Sequence, residues 1–436
     1  MSSTDFDLLI VGSGPAGMAA AQTAREHAMS IVVVDGAPLV APIVTADDHG
    51  SSGLTRLAGA NVFMLENNPD KQGFDVGVSC DGKVQLYHAR TVLIAAGAME
   101  RPFPIPGCAL PGVMTAGAAQ ALLSKQAVVP TRLMYLAGTG PLLYEVAARH
   151  IRAGVAIEAV LDITPRSNLL ASLRYLPDFL INHTVRDSLS LLREVRNLTP
   201  IVRGVTSLEA LGEGSLSGVR WSAGGRTFER PAQTLVLHQG MVPQIHLAMS
   251  AGVQHSWRPE RLAFEPDQLG GRTSVRGLYL AGDCAGIVGA DAAQRSGVVA
   301  AIAICEDLGV AVKAGLKATV AQALNKATRG RRFLDTFFRP PDAFRIPSND
   351  VMICSCESVT AGEIRALTKR GAQGPNQAKA FSRAGMGPCQ GRLCGLTVCE
   401  IMAETLGCSP GEIGHMRIRA PIKPITVAEM ASMGSP

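Results

Sequence analysis

The sequence predicts an α/β fold with two Rossmann-like dinucleotide-binding domains and a small helical C-terminal domain. Two units of strand, glycine turn, helix and strand occur within residues 1–162. The 436 residues include 46 glycines and only 4% aromatic residues, a composition that suits a nucleotide-binding α/β protein better than a β-sandwich. Four cysteines in two close pairs stand near the C-terminus and indicate a separate domain there.

The first unit has a strand from Asp7 to Val11, a helix from about Ala16 to His27 and a strand from Ile31 to Asp35. The turn between the first strand and the helix is therefore in the right context to bind a dinucleotide.

Three glycines in that turn predict the binding mode. Gly12 permits the tight turn, Gly14 lets backbone amides approach a pyrophosphate at the helix N-terminus, and Gly17 lets the helix pack on the sheet. Asp35 stands eighteen positions after Gly17 and is expected to bind the adenosine ribose. The alternative is a tight turn that binds no ligand. We count Pro15 and Ala16, inside the turn, among the cofactor-binding residues.

The second unit runs from a strand at Leu133 to Ala137 through a helix near Leu142 to Ala153 and a strand from Val155 to Asp162. Its turn keeps Gly138 and Gly140, but the third glycine position is Leu143. Asp162 is the only candidate ribose acid. We interpret this unit as retained for packing after losing its nicotinamide nucleotide.

Two later strands are expected to complete the first site. A strand from Thr91 to Ala96 leads into Gly97, and we include Ala96 and Gly97 in the cofactor site. A strand from Gly277 to Ala281 leads into Gly282 and Asp283, where a carboxylate beside a helix N-terminus would bind the ribityl and pyrophosphate region of FAD. A simple turn is the alternative.

The cysteine spacing predicts a metal centre. One residue separates Cys354 from Cys356, four separate Cys389 from Cys394, and thirty-two separate the two pairs. Four thiolates in two pairs suit tetrahedral zinc or an iron-sulfur cluster. The single-residue spacing favours the cluster, because structural zinc sites usually have two to four residues within a pair. Cys399 recurs at helical spacing with Leu396 and Met402 and is interpreted as a core residue.

These patterns divide the chain as follows: residues 1–115 and 236–307 as a discontinuous FAD-binding-type domain, 116–235 as an NAD(P)-binding-like domain, 308–350 as a linker, 351–414 as the cysteine domain and 415–436 as an extended tail.

Charge and composition argue against several classes. The net charge of +5 is small, the cationic residues cluster only near Arg329, Arg331 and Arg332, and few aromatic residues are available for stacking, so no nucleic-acid partner is expected. The apolar stretch from Leu8 to Ala24 is preceded by acids and interrupted by Gly and Pro, unlike a signal peptide. Ten cysteines without such a signal predict reduced thiols or metal ligands and a cytoplasmic location.

Three segments resemble a known family: AGAMERPFPIPG from Ala96 to Gly107, LPGVMTAGAAQ from Leu110 to Gln120 and SRAGMGPCQGRLCG from Ser382 to Gly395. The body resembles pyridine nucleotide-disulfide reductase-like flavoproteins, and the C-terminal region resembles the bacterioferritin-associated-ferredoxin-like (BFD-like) [2Fe-2S] domain. Their combination resembles the α subunits of heteromeric amine and imino-acid dehydrogenases. That group includes opine oxidase, D-hydroxyproline dehydrogenase, L-proline dehydrogenase and hydrogen cyanide synthase.

The resemblance implies an electron-transfer subunit that carries FAD and a [2Fe-2S] cluster. Its expected partner is a D-amino-acid-oxidase-like β flavoprotein that oxidises the carbon-nitrogen bond. The resemblance also allows an FMN at a subunit interface, a small ferredoxin-like γ subunit, and contact with quinone at the inner membrane through partners. No catalytic residue for substrate oxidation is assigned to this chain.

The sequence departs from the family after Asp35. The usual Gly-Gly-Gln loop is replaced by GAPLVAPI from Gly36 to Ile43, and the segment up to about Ala60 is shortened. FAD is expected, with another adenine nucleotide as the alternative, because the glycines and Asp35 do not require a flavin ring. Two other functions stay open: a self-sufficient NAD(P)H-dependent flavin and iron-sulfur reductase, and a structural scaffold subunit.

Overall fold

The computed structural model describes residues 5–36, 53–130, 133–181 and 184–434. Within these residues the strands are β1 Asp5–Val11, β2 Ile31–Asp35, β3 Leu54–Ala58, β4 Asn61–Asn68, β5 Gly73–Cys80, β6 Lys83–Ile94, β7 Ala98–Glu100, β8 Val113–Thr115, β9 Met134–Thr139, β10 Ile157–Asp162, β11 Ile201–Arg203, β12 Val205–Leu211, β13 Gly218–Ala223, β14 Arg226–Pro231, β15 Thr234–Gln239, β16 Met241–Pro243, β17 His255–Arg258, β18 Ala263–Pro266, β19 Gln268–Leu269, β20 Arg272–Thr273, β21 Leu278–Leu280, β22 Met352–Cys354 and β23 Val359–Thr360.

The α-helices in the described residues are α1 Pro15–Arg25, α2 Ala116–Gln126, α3 Pro141–Arg152, α4 Arg166–Ser172, α5 Leu176–Leu180, α6 Thr184–Leu198, α7 His246–Ser250, α8 Ala290–Asp307, α9 Leu316–Ala327, α10 Arg331–Phe337, α11 Asp342–Arg345, α12 Ala361–Lys369, α13 Pro375–Ser382, α14 Gly395–Leu406, α15 Pro410–Ile413 and α16 Val427–Ala431. Short 3₁₀ turns lie at Leu173–Tyr175, Gly282–Ala285 and Ser432–Gly434.

The first sheet has nine strands and is organised around β6. The second half of β6 pairs in parallel with β1 and β21, and β1 continues in parallel to β2 and β3. The first half of β6 pairs antiparallel with β5, which pairs with β4. The apolar runs of β1 and β2 are almost fully buried, as expected for parallel strands covered on both faces.

The second sheet is entirely parallel, in the order β11, β10, β9, β15, β8. Helix α3 packs against this sheet through Leu143, Val146 and Ala147, all with no exposed surface. An antiparallel sheet of β12, β13 and β14 packs beside it through a core that includes Trp221.

Both predicted strand-helix-strand units are present, so the fold class is confirmed. The strand predicted from Thr91 to Ala96 is the end of the twelve-residue β6, and the strand predicted from Gly277 to Ala281 is reduced to Leu278–Leu280. The segment predicted as a linker contains α9, α10 and α11. Its contacts with the body include the half-buried Phe333 and the buried Phe344, which packs in the core beside the second sheet. The domain boundaries stay a prediction.

The C-terminal region packs around α14. Thr360 and Glu363 form the predicted capping box of α12, and Gly407 ends α14 in the left-handed conformation. Cys399 is fully buried in the core between α14 and the body, which confirms its interpretation as a core residue. The tail predicted as extended contains the short helix α16, and it lies against the body, where the amide of Ile422 donates to the carbonyl of Phe63 in β4 at 2.8 Å.

No described helix is both long and apolar enough to span a membrane.

Candidate functional site

The first glycine turn has the tight geometry that its sequence predicts. Gly12 has φ +106°, and a Cβ at this position would lie 2.4 Å from the carbonyl oxygen of Ala95. A Cβ on Gly17 would lie 1.9 Å from the carbonyl oxygen of Gly12, whereas a Cβ on Gly14 would meet no atom within 4 Å. Two glycines are therefore required for close backbone packing, and the third faces open space.

A cavity of about 310 Å³ lies directly on this turn. Of the predicted site residues, it is lined by Gly12, Gly14, Asp35, Ala96 and Gly97. These residues come from the first turn and from the ends of β2 and β6, so the parallel strands bring them together at one sheet edge. We call this space the first cavity.

Asp35 lies at the edge of the first cavity. Its Oδ2 accepts hydrogen bonds from the backbone amide of Ser13 at 2.5 Å and from the Ser13 hydroxyl at 2.7 Å. These bonds hold the carboxylate beside the glycine turn, where a ribose would lie.

The other predicted residues lie outside this cavity. Pro15 occupies the first turn of α1 and is exposed, Ala16 is buried, and a Cβ on Gly282 would lie 2.9 Å from the Cβ of Ala16. Gly17 serves packing. The segment from position 37 that departs from the Gly-Gly-Gln loop lies outside the described residues.

Asp283 lines a different cavity of about 370 Å³ in the cleft between the two dinucleotide units, which we call the second cavity. Its Oδ1 accepts hydrogen bonds from the amides of Val288 at 2.8 Å and Gly289 at 3.0 Å, just before α8. The carboxylate therefore organises the approach to α8. The sequence predicts that Asp283 binds the ribityl and pyrophosphate region of FAD; this stays a prediction, and in the structure Asp283 lines the second cavity whereas Asp35 lines the first.

The second unit does not repeat the first site. Leu143, at the third glycine position, is fully buried. The carboxylate of Asp162 is also buried, and it accepts a hydrogen bond at 2.7 Å from the hydroxyl of Tyr144. Residues of α10, including Arg331 and Asp335, line the second cavity in front of this turn. The ribose acid is thus used for packing within the unit.

The four predicted cysteine ligands meet between β22 and the loop before α14. Cys354 and Cys394 are buried and joined by a thiol hydrogen bond, and Cys356 interacts with Cys389. Cys394 also interacts electrostatically with Cys356 and Cys389. Among the residues that the structure describes, no group of three or more His, Cys, Asp or Glu side chains is arranged to hold a metal ion. The thiols instead form two neighbouring pairs.

The surroundings of Cys354 favour a thiolate. The hydrogen bond from Cys394 and, against the opposing effect of burial, backbone hydrogen bonds from Gly385, Glu357 and Cys356 together lower the pKa of Cys354 to about 5. The same hydrogen bond and burial raise the pKa of Cys394 above its usual range. Backbone amides directed at sulfur are typical of iron-sulfur ligation.

Two glycines allow the loop from Ser382 to Gly395 to pass close to neighbouring side chains. A Cβ on Gly387 would lie 2.2 Å from the Cβ of Cys356, and a Cβ on Gly385 would lie 2.7 Å from the sulfur of Met416. The loop from Ser382 to Gly395 can therefore approach the first cysteine pair only with glycine at these positions.

Three residues of the first cavity were missed by sequence reasoning: His246, Arg392 and Lys423. Burial and, to a smaller extent, the charge of Arg392 lower the pKa of His246 to about 3. Its Nδ1 lies 2.9 Å from Oε1 of Gln244, so Nδ1 carries the proton and the buried Nε2, which has no partner in the described structure, is an acceptor. Arg392 lies within the segment from Ser382 to Gly395 that resembles the family, whereas His246 and Lys423 lie outside the three segments that do.

The two dinucleotide-type units and the glycine-lined first cavity define an oxidoreductase of the flavoprotein type. The family model described as pyridine nucleotide-disulphide oxidoreductase matches residues 6–297, and the model of the sarcosine oxidase A3 domain matches residues 349–433. The first match supports flavin binding by the body.

Named relatives extend the similarity to the whole chain. An opine oxidase subunit of Agrobacterium tumefaciens (strain Ach5) is 38% identical, with 98% of this chain and 92% of that protein covered. Hydrogen cyanide synthase subunit HcnB of Pseudomonas protegens is 29% identical, with 96% of each chain covered. The crystal structure of L-proline dehydrogenase from P. horikoshii has a TM-score of 0.72 at 18% identity, over 98% of this chain and 79% of that chain, which shows a shared fold.

The chain therefore belongs to the pyridine nucleotide-disulphide oxidoreductase family, within the group that contains this opine oxidase subunit. The family resemblance predicted from the sequence is confirmed.

Proposed function

We propose that this chain is the electron-transfer subunit of a heteromeric flavin-dependent dehydrogenase of amines or imino acids, of the opine, hydroxyproline, proline or glycine type. The observation that carries the proposal is the contact between the first cavity and the cysteine loop. Arg392 lines the first cavity, and its Nη1 donates to the carbonyl oxygen of Cys389 at 3.1 Å. The two predicted cofactor sites are therefore neighbours.

The first cavity fits the adenosine diphosphate part of FAD. Gly14 faces open space, α1 presents its N-terminus, and Asp35 lies at the end of β2. Helix dipole and free amides favour a pyrophosphate at this position. FAD is the proposed occupant, and another adenine nucleotide is the alternative, since these residues hold only the adenosine end.

The pairing of the four cysteines supports a [2Fe-2S] cluster as the proposed occupant, since each iron of such a cluster is bound by two thiolates. Cys354 and Cys394 form one close pair, and Cys356 with Cys389 forms the other. Backbone hydrogen bonds stabilise negative charge on Cys354. When bound, a flavin and such a cluster supply the acceptance and transfer of electrons, and this chain's residues position them.

The partner in this proposal is a D-amino-acid-oxidase-like flavoprotein that binds the substrate. The relatives named as subunits of opine oxidase and of hydrogen cyanide synthase support a heteromeric assembly. A small ferredoxin-like γ chain, an FMN at the interface between chains and contact of the partners with quinone at the membrane belong to the same proposal, as does a cytoplasmic location.

An NAD(P)H-dependent reductase is less well supported. The second unit has Leu143 in place of glycine, and Asp162 is bound by Tyr144. A scaffold role would not explain why the first cavity contacts the cysteine loop. The experiment described next separates a scaffold from an electron-transfer subunit.

In the experiment, this chain is co-expressed with the D-amino-acid-oxidase-like flavoprotein proposed as its partner. The complex is then purified without oxygen. We expect about two irons per copy of this chain, because one [2Fe-2S] cluster is held by four cysteines. Substrate should bleach the cluster absorption, and NADH alone should not. Cys389→Ser should abolish the iron, whereas Cys408→Ser, at a half-buried cysteine outside the two pairs, should keep it.

Three outcomes would contradict the proposal. Stoichiometric zinc without iron would refute the cluster, and bleaching by NADH alone would support the reductase. A cluster that substrate leaves oxidised in an active complex would indicate a scaffold.

A further inference from the structure

The first cavity is closed by the C-terminal part of the chain. Ile422 and Lys423 of the tail and Arg392 of the cysteine loop line it together with Gly14 and Asp35. A nucleotide bound in this cavity would therefore lie between the first sheet and residues more than 350 positions later in the sequence.

Hydrogen bonds fix this closure. Arg392 Nη1 donates to the carbonyl oxygen of Ile422 at 2.9 Å, and the Ile422 amide donates to the carbonyl oxygen of Phe63 at 2.8 Å. Lys423 Nζ donates to Oδ1 of Asn61 at the start of β4. Farther along the tail, Glu429 accepts from the hydroxyl of Ser79 in β5. The tail thus joins the cysteine loop to the β4–β5 hairpin across the cavity.

The charges facing the first cavity are unbalanced. Arg392 and Lys423 are cationic, and the hydrogen bonds named above join them to neutral carbonyl and amide oxygens. Burial and the charge of Arg392 lower the pKa of Lys423, while Asp35 opposes them. Among the described residues that line the cavity, two cations thus accompany one carboxylate, Asp35, which already accepts two hydrogen bonds from Ser13. An anion between the cations would relieve their repulsion.

We propose that Arg392 and Lys423 bind the phosphate groups of the nucleotide in the first cavity, so that nucleotide occupancy stabilises the docking of the tail and cysteine loop. This inference rests on the proposed function only in assuming that an adenine nucleotide occupies the first cavity. Nucleotide binding in the first cavity and docking of the tail and cysteine loop must then strengthen each other by the same factor.

The test measures binding of ADP and of FAD to the full chain after bound nucleotide has been removed. Lys423→Ala and Arg392→Ala should each weaken ADP binding at least tenfold, which is about 1.4 kcal/mol. Arg392→Lys and Lys423→Arg keep the charge and should recover part of the affinity. Arg417→Ala is the matched control, since it removes the same charge from an exposed tail residue that lines a different groove.

The outcomes separate the two proposals. Affinities in Lys423→Ala and Arg392→Ala that equal that of Arg417→Ala would overturn the inference. Wild-type protein that binds neither ADP nor FAD would instead refute the nucleotide site of the proposed function.

Hydrogen exchange provides a second readout of the coupling. The Ile422 amide is bonded to Phe63, so saturating ADP should slow its exchange in wild-type protein, and Lys423→Ala should lose most of this effect. Exchange at Ile422 that does not respond to ADP in the wild type would show that nucleotide and tail are not coupled.

Discussion

At the scale of single residues, two aspartates in equivalent positions distinguish the two dinucleotide units. Asp35 and Asp162 each end the second strand of a unit. Asp35 lines an open cavity, whereas Asp162 is buried and bound to Tyr144. Burial and the neighbouring carboxylate raise the pKa of Tyr144, so its hydroxyl keeps the proton that it donates. The same residue type thus faces a cavity in one unit and serves packing in the other.

Buried neutral histidines predict a loss of stability in mild acid. Burial, with smaller contributions from Arg392, His415 and His255, lowers the pKa of His246 to about 3. Burial lowers the pKa of His255 to about 4, with His415 acting in the same direction and the Val253 carbonyl and Asp267 opposing. The unfolded chain protonates histidine near pH 6.5, so between that pH and about 4 it binds more protons than the folded chain.

Stability should therefore be complete above about pH 6.5 and should fall as the pH drops, by up to about 1.4 kcal/mol per pH unit for each histidine. Urea unfolding at pH 7 and pH 5 measures the difference. His246→Gln and His255→Gln should reduce it, and His27→Gln, at a half-buried position after α1, provides the comparison. Equal unfolding midpoints at both pH values in the wild type would contradict the prediction.

At the scale of elements, the loop before α14 depends on one close approach. A Cβ on Gly387 would lie 2.2 Å from the Cβ of Cys356 and 3.1 Å from its sulfur. Gly387→Ala should displace Cys356 and lose most of the iron, while the far-ultraviolet circular dichroism stays unchanged. Iron per chain, measured in protein purified without oxygen, checks this prediction.

The comparison variant is Gly374→Ala in the same region, where the nearest atom to a new Cβ is 3.9 Å away. It should keep its iron. If Gly387→Ala binds as much iron as Gly374→Ala, the cysteine site does not require this close contact.

The two strand-helix-strand units could be predicted because their signals are local. Gly12 and Gly17 are needed by contacts within a few residues or with the adjacent strand, and apolar runs mark β1 and β2. The tail contact could not be predicted in the same way. Lys423 reaches Asn61 across 362 positions, and no periodicity or motif encodes such a contact.

That Asp35 and Asp283 line different cavities could not be predicted from the sequence. Both residues follow parallel strands, and the ends of such strands meet at one edge of a sheet. The hydrogen bonds of Asp283 with Val288 and Gly289 instead turn its carboxylate toward the second cavity.

At the scale of the whole molecule, the segment between body and cysteine domain joins the two rather than spacing them apart. Arg345 of α11 is buried and forms an ion pair with the buried Glu400 of α14. A buried pair of this kind makes loss of either partner costly, about 3 to 5 kcal/mol, because the other charge stays uncompensated. Together with the tail contacts, it holds the cysteine loop against the first cavity.

The last prediction is that the isolated chain oxidises no amino or imino acid. Such a substrate needs a cation for its carboxylate; Arg392 and Lys423 of the first cavity are proposed to bind phosphate, and the arginines that face the second cavity are already engaged. Arg261 pairs with Glu265 and Asp335, and Arg331 also pairs with Asp335. Arg339 donates to the carbonyl oxygen of Pro259 at 2.8 Å. Turnover with an artificial dye as acceptor should therefore be absent for this chain alone. It should appear when the D-amino-acid-oxidase-like partner flavoprotein is added. Turnover of a proline, hydroxyproline or opine by this chain alone would place the substrate site here and contradict the electron-transfer role.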